Sequence, residues 1–193
     1  MSPPQSIRLS RDWLTPDNST TLMEAAQPAP GPRLRAGGGG RRIDSAFVRD
    51  GSVFGCNGVK SDKDSRIGVL WYEVQVSDGK LMQEGLVEDP SRDFIFPAIA
   101  VDAFGNVGIG CTGTSENENP SVYVMMHRSI DPPGTMKPPV LAVPGTTPYL
   151  YAGEAAVNLS HYSSTVLDPV DPSLLWTCQA CSKSHRDRQW TTA

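Results

Sequence analysis

Three segments of the sequence share one pattern: a short apolar run, a tight turn, and a second apolar run that ends at a cysteine. They span residues 43–56, 96–111 and 162–178. Their turns are rich in Gly, Asn, Asp and Pro, which supply the positive or preset φ angles that tight turns require. Each segment is therefore predicted to be a β-hairpin, with Val48, Val101 and Val166 buried on equivalent strands. A hairpin that recurs along a chain indicates a repeat architecture.

Further strand candidates follow the first two hairpins. The first is followed by 68–76 and 81–87, joined by an Asp-Gly turn, and the second by 121–127 and 140–143. Only 188–193 follows the third. A unit of four antiparallel strands is the size of a propeller blade. The sequence thus predicts an all-β fold, a partial β-propeller of about three four-stranded blades. The alternative at this point is a β-sandwich.

The chain divides into two regions by composition. Residues 1–42 are rich in proline and include the run Gly37–Gly40, so we expect a flexible N-terminal segment. Residues 43–193 form the propeller-like repeat region. The third unit lacks a fourth strand, and a short strand near 6–9 or 20–25 is the candidate to complete it. Three blades are too few to close a ring, so we expect a truncated propeller.

Charge and hydropathy exclude several classes of protein. The net charge is −4 and the sequence pI about 5.3, so no basic surface for nucleic acid is expected. No stretch of 18 apolar residues is present, so no membrane span is predicted. Residues 1–17 contain no apolar run, so no secretory signal peptide is predicted in this chain.

A Cys-x-x-Cys pair raises the question of a metal site. Cys178 and Cys181 stand near His185, but tetrahedral zinc needs four ligands, normally from two such pairs. Cys178 also occupies the repeat position of Cys56 and Cys111, which favours a small buried core residue. We therefore predict no metal and no cofactor.

No catalytic constellation emerges from the acidic and imidazole side chains. Several aspartates lie in turns, where Asp hydrogen-bonds its own backbone. Glu73 and Glu84 fall in alternating strands and are predicted to lie on the solvent face, while His127 ends a strand and is predicted at the surface or an edge. Trp71 and Trp176 are expected to pack between blades.

Four segments resemble a known group of proteins: 96–110, Asp131-Pro-Pro-Gly134, 162–169 and Leu175-Trp176. They are similar to the C-terminal half of large bacterial propellers called sialidase-like or neuraminidase-repeat-like. The resemblance covers residue 43 to the C-terminus and implies a propeller at the cell surface or outside the cell. Members usually carry Arg-Trp-Gly-Asp where this chain has 158–161, and residues 49–54 match the family's aspartate box only loosely. Neither the arginine triad nor the Tyr–Glu nucleophile pair of true sialidases maps onto this sequence.

The function expected from these observations is binding. Tyr149 and Tyr151, in a Pro/Gly-rich loop, are the candidate ligand-binding residues, together with His161 and Tyr162 at the position where the family motif differs. We expect a non-catalytic module for a glycan or a protein, and an enzyme only as the alternative, a sialidase-like glycoside hydrolase that is inactive or incomplete as this chain. Open blade faces would be apolar, which predicts self-association.

Overall fold

A computed structural model of the chain describes residues 7, 9, 23–36, 43–61, 63, 65–150, 156–157, 159 and 162–183. These residues form thirteen β-strands and no helix, so the all-β prediction is confirmed. Accordingly, the described part of the chain offers no apolar helix of membrane-spanning length. The strands are β1 Glu24–Ala25, β2 Arg33–Arg35, β3 Ser45–Arg49, β4 Ser52–Lys60, β5 Ile67–Gln75, β6 Leu81–Val87, β7 Asp93–Val101, β8 Val107–Ser115, β9 Glu118–His127, β10 Val140–Val143, β11 Ala156–Val157, β12 Ser164–Leu167 and β13 Leu175–Cys178.

Sheet 1 is a four-stranded antiparallel meander in the order β3-β4-β5-β6. Its first turn contains only Asp50 and Gly51, with φ angles of 46° and 80°. Positive φ at both positions gives the turn whose twist matches that of the flanking strands, and Asp followed by Gly is a preferred pair for it. The predicted hairpin 43–56 and the two predicted strands that follow it are confirmed.

Sheet 2 repeats this arrangement in the order β7-β8-β9-β10, again antiparallel throughout. The longer turn between β7 and β8 is held by Asp102, whose Oδ1 accepts hydrogen bonds from the backbone N–H groups of Phe104 (2.8 Å) and Asn106 (2.9 Å). An aspartate that bonds its own turn in this way fixes the return of the chain. The second predicted four-stranded unit is therefore also present.

The third unit is the two-stranded hairpin β12–β13. Asp168 orders its turn by accepting from the N–H groups of Val170 and Asp171, each at 2.7 Å. The backbone hydrogen bond from Asp171 and the indole N–H of Trp176 lower the pKa of Asp168. The predicted hairpin 162–178 is confirmed, whereas the strand predicted at 188–193 lies outside the described residues.

The three units stack face to face in chain order. Between sheets 1 and 2 lies the main core, formed by large apolar side chains of both, among them Phe54, Trp71, Phe94, Ile109 and Met125. The opposite face of sheet 2 carries the hairpin, because β8 has no side chain at Gly108 or Gly110. A Cβ at Gly108 would lie 2.5 Å from Leu175 Cδ1, and one at Gly110 would collide with the Thr177 hydroxyl. Sheet 2 is thus covered on both faces.

A further small sheet comes from the N-terminal region. Strands β1, β2 and β11 form a sheet in which Ala25 and Leu34 are fully buried, and its core includes Ile95 and Phe96 of β7. Within the segment 1–42, residues 23–36 thus contain two short strands, because a few well-spaced apolar side chains among the prolines find a partner surface on sheet 2. Strand β1 pairs with β2 rather than completing the hairpin β12–β13.

Four residues that were predicted to be buried are instead exposed. Val48 and Val166, in strands that were expected to be equivalent to that of the buried Val101, are 68% and 48% exposed. Trp176 is 61% exposed, and Cys178 is exposed beside it on β13. Each of these side chains lies on a sheet face that no other described strand covers, so the predictions of their burial are wrong. Trp71, in contrast, is fully buried in the main core as predicted.

Candidate functional site

A polar cleft lies between sheets 1 and 2, at the end of the stack where the turns β3–β4 and β7–β8 lie. Its volume is about 250 Å³. Phe54, Val101 and Gly105 contribute apolar surface, and the rest of the lining is polar. We call this space the inter-sheet cleft and define it by its polar side chains Arg49, Asp50, Ser52, Glu73, Gln83 and His127.

Glu73 of β5 is held in position by its neighbours on both sides. Its Oε1 accepts a hydrogen bond from Ser52 Oγ of β4 (2.8 Å), and its Oε2 accepts one from Gln83 Nε2 of β6 (2.8 Å). Gln83 is fixed in turn, because its Oε1 accepts from the N–H of Gly134 (3.0 Å). Each carboxylate oxygen has further lone pairs, so Glu73 remains able to accept from a ligand.

His127, the last residue of β9, is only 3% exposed. Its Nδ1 lies 2.7 Å from the carbonyl oxygen of Thr135, so this nitrogen carries a proton and donates it. The ring packs against Trp71, with centroids 5.1 Å apart. In the singly protonated ring, Nε2 is a hydrogen-bond acceptor, and the side chain lines the cleft.

Arg49 and Asp50 form the rim at the first hairpin turn. Arg49 Nε lies 3.3 Å from Asp50 Oδ2, and the Asp50 side chain is largely exposed. The cleft thus holds two carboxylates and one guanidinium, so its fixed charge disfavours an anionic ligand. It offers donors on Arg49 and Gln83, and acceptors on the two carboxylates and the imidazole.

Sequence reasoning missed both central residues of this cleft. Glu73 was predicted to lie on the solvent face together with Glu84. The two side chains instead point to opposite faces of sheet 1, because Glu73 is hydrogen-bonded to Gln83, the residue next to Glu84 on β6. The prediction that His127 lies at the surface or an edge is wrong. A signal was available, because alternation places His127 on the same face as the buried Tyr123 and Met125.

The two predicted ligand residues that the structure describes lie away from the cleft lining. The backbone of Tyr149 exchanges two hydrogen bonds with the amide of Gln27 (2.7 and 2.9 Å), and its side chain packs on the core of the small sheet. Tyr162, just before β12, is 86% exposed. Tyr151 and His161 lie outside the described residues. The ligand role of these four residues stays a prediction.

A second polar cluster lies at the opposite end of sheet 2. The Tyr123 hydroxyl donates to Glu118 Oε1 (2.5 Å) and accepts from Arg92, whose guanidinium also sits 4.9 Å from the ring centroid. Burial and then the hydrogen bond to Glu118 raise the pKa of Tyr123. These groups bond one another, so their arrangement is that of a structural network.

The cysteines are all free thiols. Cys56 and Cys111 lie in the main core, where burial raises the pKa of both, and burial likewise raises the pKa of Cys181. Buried thiols of this kind are poor nucleophiles. His185 lies outside the described residues. Within the described ranges, no group of three or more His, Cys, Asp or Glu side chains is placed to hold a metal ion.

Comparison with known proteins finds no matching family model, no matching curated protein and no matching solved structure. The resemblance to sialidase-like propellers therefore stays a hypothesis.

Proposed function

We propose that this chain is a non-catalytic binding module, a segment of a β-propeller whose inter-sheet cleft binds a glycan. Support for the propeller comes from the stack itself: two four-stranded antiparallel meanders and a further hairpin pack face to face in chain order, as consecutive blades do. The resemblance to sialidase-like propellers belongs to the same proposal.

The observation that carries the binding proposal is the fixed orientation of Glu73 in a cleft of about 250 Å³ that His127 also lines. Small-molecule sites combine apolar lining with a few precisely oriented polar groups, and this volume lies just below their usual range of about 300–1,000 Å³. A single sugar unit is of the size that such a space accepts. Its hydroxyls both donate and accept, which suits a lining with both kinds of group, and a neutral sugar suits the excess of carboxylate over guanidinium.

The alternative is a glycoside hydrolase, and one observation favours it. Glycoside hydrolysis uses two carboxyl groups that flank the scissile bond, and both Glu73 and Asp50 line the cleft. Binding is preferred because both oxygens of Glu73 are engaged by Ser52 and Gln83, while Asp50 is paired with Arg49 at the exposed rim.

The test is a glycan array with the 193-residue chain, followed by titration of the best glycan against two variants. Glu73→Gln removes the charge in the cleft, and Glu84→Gln makes the same change on the other face of sheet 1. We expect Glu73→Gln to weaken binding by roughly 10-fold or more, the usual worth of a hydrogen bond to a charged group. Glu84→Gln should bind as the unchanged chain does. A blank array together with no captured protein partner would refute the proposal.

Two further arms locate the site and separate binding from catalysis. If Tyr162→Ala abolishes binding and Glu73→Gln does not, the ligand binds at the exposed tyrosine rather than in the cleft. The same proteins are assayed with a fluorogenic sialoside and with aryl glycosides. Turnover that Glu73→Gln removes and Glu84→Gln leaves intact would establish the hydrolase in place of the binding module.

A further inference from the structure

Two exposed apolar side chains stand beside the inter-sheet cleft, on the loops that form its sheet 2 wall. Gly105 and Ser129 line the cleft. Phe104 precedes the first and Ile130 follows the second, and these two side chains are 63% and 80% exposed. We call Phe104 and Ile130 the apolar rim. Consecutive Cα atoms are only about 3.8 Å apart, so the apolar rim adjoins the cleft.

The apolar rim is open to solvent. The structure describes 65–150 without a gap, which includes both loops of the rim and the strands that carry them. The neighbouring hairpin turn is held to the turn β7–β8 by the hydrogen bond from Ala103 N–H to Pro172 O (2.8 Å), and it leaves both side chains exposed. Single exposed apolar residues are ordinary on a protein surface. Two that adjoin a polar cleft from separate loops form a surface suited to a ligand.

Hydrogen bonds hold the two loops of the apolar rim together. Asp102 Oδ2 accepts from Asn106 Nδ2 (2.7 Å), and Asn106 Oδ1 accepts from the backbone N–H of Ser129 (3.1 Å). Asp131 closes the next turn, because its carboxylate accepts from the backbone N–H (3.1 Å) and the guanidinium (2.9 Å) of Arg128. The surface is therefore preformed, and a ligand that binds it has little loop motion to restrict.

We propose that the apolar rim binds the second sugar unit of a glycan whose first unit lies in the inter-sheet cleft, with the Phe104 ring packed against the sugar. A sugar ring presents C–H groups on its faces, and an aromatic ring buries such a face without requiring a hydrogen bond. The ligand class is then an oligosaccharide of neutral units and not a single sugar. This inference rests on the proposed function, because the cleft holds the first unit.

The extent of the surface favours a sugar over a protein as its occupant. A stable protein interface buries about 800 Å² on each partner, far more than two side chains beside a small cleft provide. The next exposed apolar side chain at this end is Val170, on the hairpin turn. The hairpin packs on the face of sheet 2 that points away from sheet 1, so the turn β7–β8 separates Val170 from the cleft. One further sugar unit therefore reaches Phe104 and not Val170.

The test is calorimetric titration of the 193-residue chain with glucose, galactose, mannose and N-acetylglucosamine, each as the free sugar and as its α- and β-linked disaccharides. We expect at least one disaccharide to bind roughly 10-fold or more tightly than its own free sugar. Phe104→Ala should remove that difference and leave the affinity for the free sugar unchanged. Phe104→Tyr keeps the aromatic ring and should retain the difference.

Val170→Ala is the matched control, because Val170 is 89% exposed and also apolar but lies away from the cleft. It should leave the affinities for the free sugar and the disaccharide unchanged. Glu73→Gln separates this inference from the proposed function, since it should weaken both affinities by the same factor. Thermal melting of each variant separates loss of binding from loss of fold.

Equal affinities for free sugar and disaccharide, both lowered by Glu73→Gln, would overturn the inference and leave the proposed function standing. A preference for the disaccharide that survives Phe104→Ala would overturn it as well. Weaker binding by Phe104→Ala but not by Glu73→Gln would refute the cleft and with it both proposals, as would a chain that binds none of these sugars. If Val170→Ala weakens binding as much as Phe104→Ala does, the surface extends over the hairpin turn, as a protein partner requires, and the sugar is the wrong occupant.

Discussion

Val48 in sheet 1 and Val101 in sheet 2 hold equivalent places and differ completely in exposure, at 68% and 1%. Each lies in the first strand of its sheet and pairs with a valine across the hairpin, Val53 or Val107. Both side chains face the same way along the stack. Sheet 1 covers Val101, and no described strand covers Val48. The repeat therefore fixes which way a side chain points, and the neighbouring layer decides whether it is buried.

The largest expected effect tests this difference directly. Val101→Asp places an unpaired charge in the main core and should cost more than about 4 kcal/mol of the free energy of unfolding. Val48→Asp, the same change on the uncovered face, should alter it by no more than about 0.5 kcal/mol. Urea unfolding at low protein concentration measures both. Similar losses for the two variants would mean that Val48 is covered in solution.

The next prediction compares two carboxylates, those of Asp93 and Glu116, which both pair with Arg66. Buried Asp93 accepts from Ile67 N–H (2.9 Å), Ala26 N–H (3.3 Å) and Arg66 (3.2 Å), and so ties sheets 1 and 2 to the small sheet. Exposed Glu116 binds only the outer side of Arg66. Asp93→Ala leaves the buried donors unpaired and should lower the free energy of unfolding by about 3 kcal/mol. Glu116→Gln should cost less than about 1 kcal/mol. Equal costs in urea unfolding would contradict this ranking.

A smaller effect tests the contact of the hairpin with sheet 2. A Cβ at Gly110 would meet Thr177 and also lie 2.9 Å from Gln179 Nε2, so Gly110→Ala should cost about 2 kcal/mol by overpacking. Gly58 in β4 is the control, because the nearest atom to its Cβ would be 3.5 Å away, in ordinary contact. Gly58→Ala should change the free energy of unfolding by no more than about 0.5 kcal/mol. Thermal melting of the two variants gives the comparison, and an unaffected Gly110→Ala would place the hairpin elsewhere.

The smallest effect appears only at alkaline pH. Burial raises the pKa of Tyr72 from 10.0 to about 12. The unfolded chain then loses this proton at lower pH than the folded one, so the folded protein loses stability as the pH rises from 10 towards 12 and is unaffected below 10. Tyr72→Phe should match the unchanged chain at pH 7 and lose less stability in that window. Stability curves that remain parallel would show that Tyr72 is accessible to water.

Sequence reasoning predicted the strands of this fold well, because turn chemistry such as Asp50-Gly51 is local. It was wrong about burial at positions where a shift of one residue in register turns the side chain to the other face of the sheet. Cys56 lies three residues after Val53, whereas Cys111 lies four after Val107, so period-2 alternation turns the two cysteines to opposite faces. Both are buried only because those faces meet in one core. In the same way, Val166 is one residue out of register with the face of the hairpin that packs on sheet 2, so its side chain points to the uncovered face.

The candidate cleft was harder to predict than the strands. Glu73 and His127 come from different sheets, and their approach depends on which faces stack, a long-range property that no local pattern contains. Within 23–36 only a short strand near 20–25 was predicted, because the proline content masks Leu34, whose burial depends on a surface supplied by β7.

Amide hydrogen exchange along two matched strands tests the account most directly. Strands β3 and β7 are each the first strand of a four-stranded sheet with one hydrogen-bonded neighbour in that sheet, and differ in that every residue of β7 is buried whereas none of β3 is. We predict that the amides of β7 that bond β8 exchange slowly and that those of β3 that bond β4 exchange faster. Exchange from β3 that is as slow as from β7 would contradict the conclusion that stacking of neighbouring layers, rather than the repeat itself, determines burial.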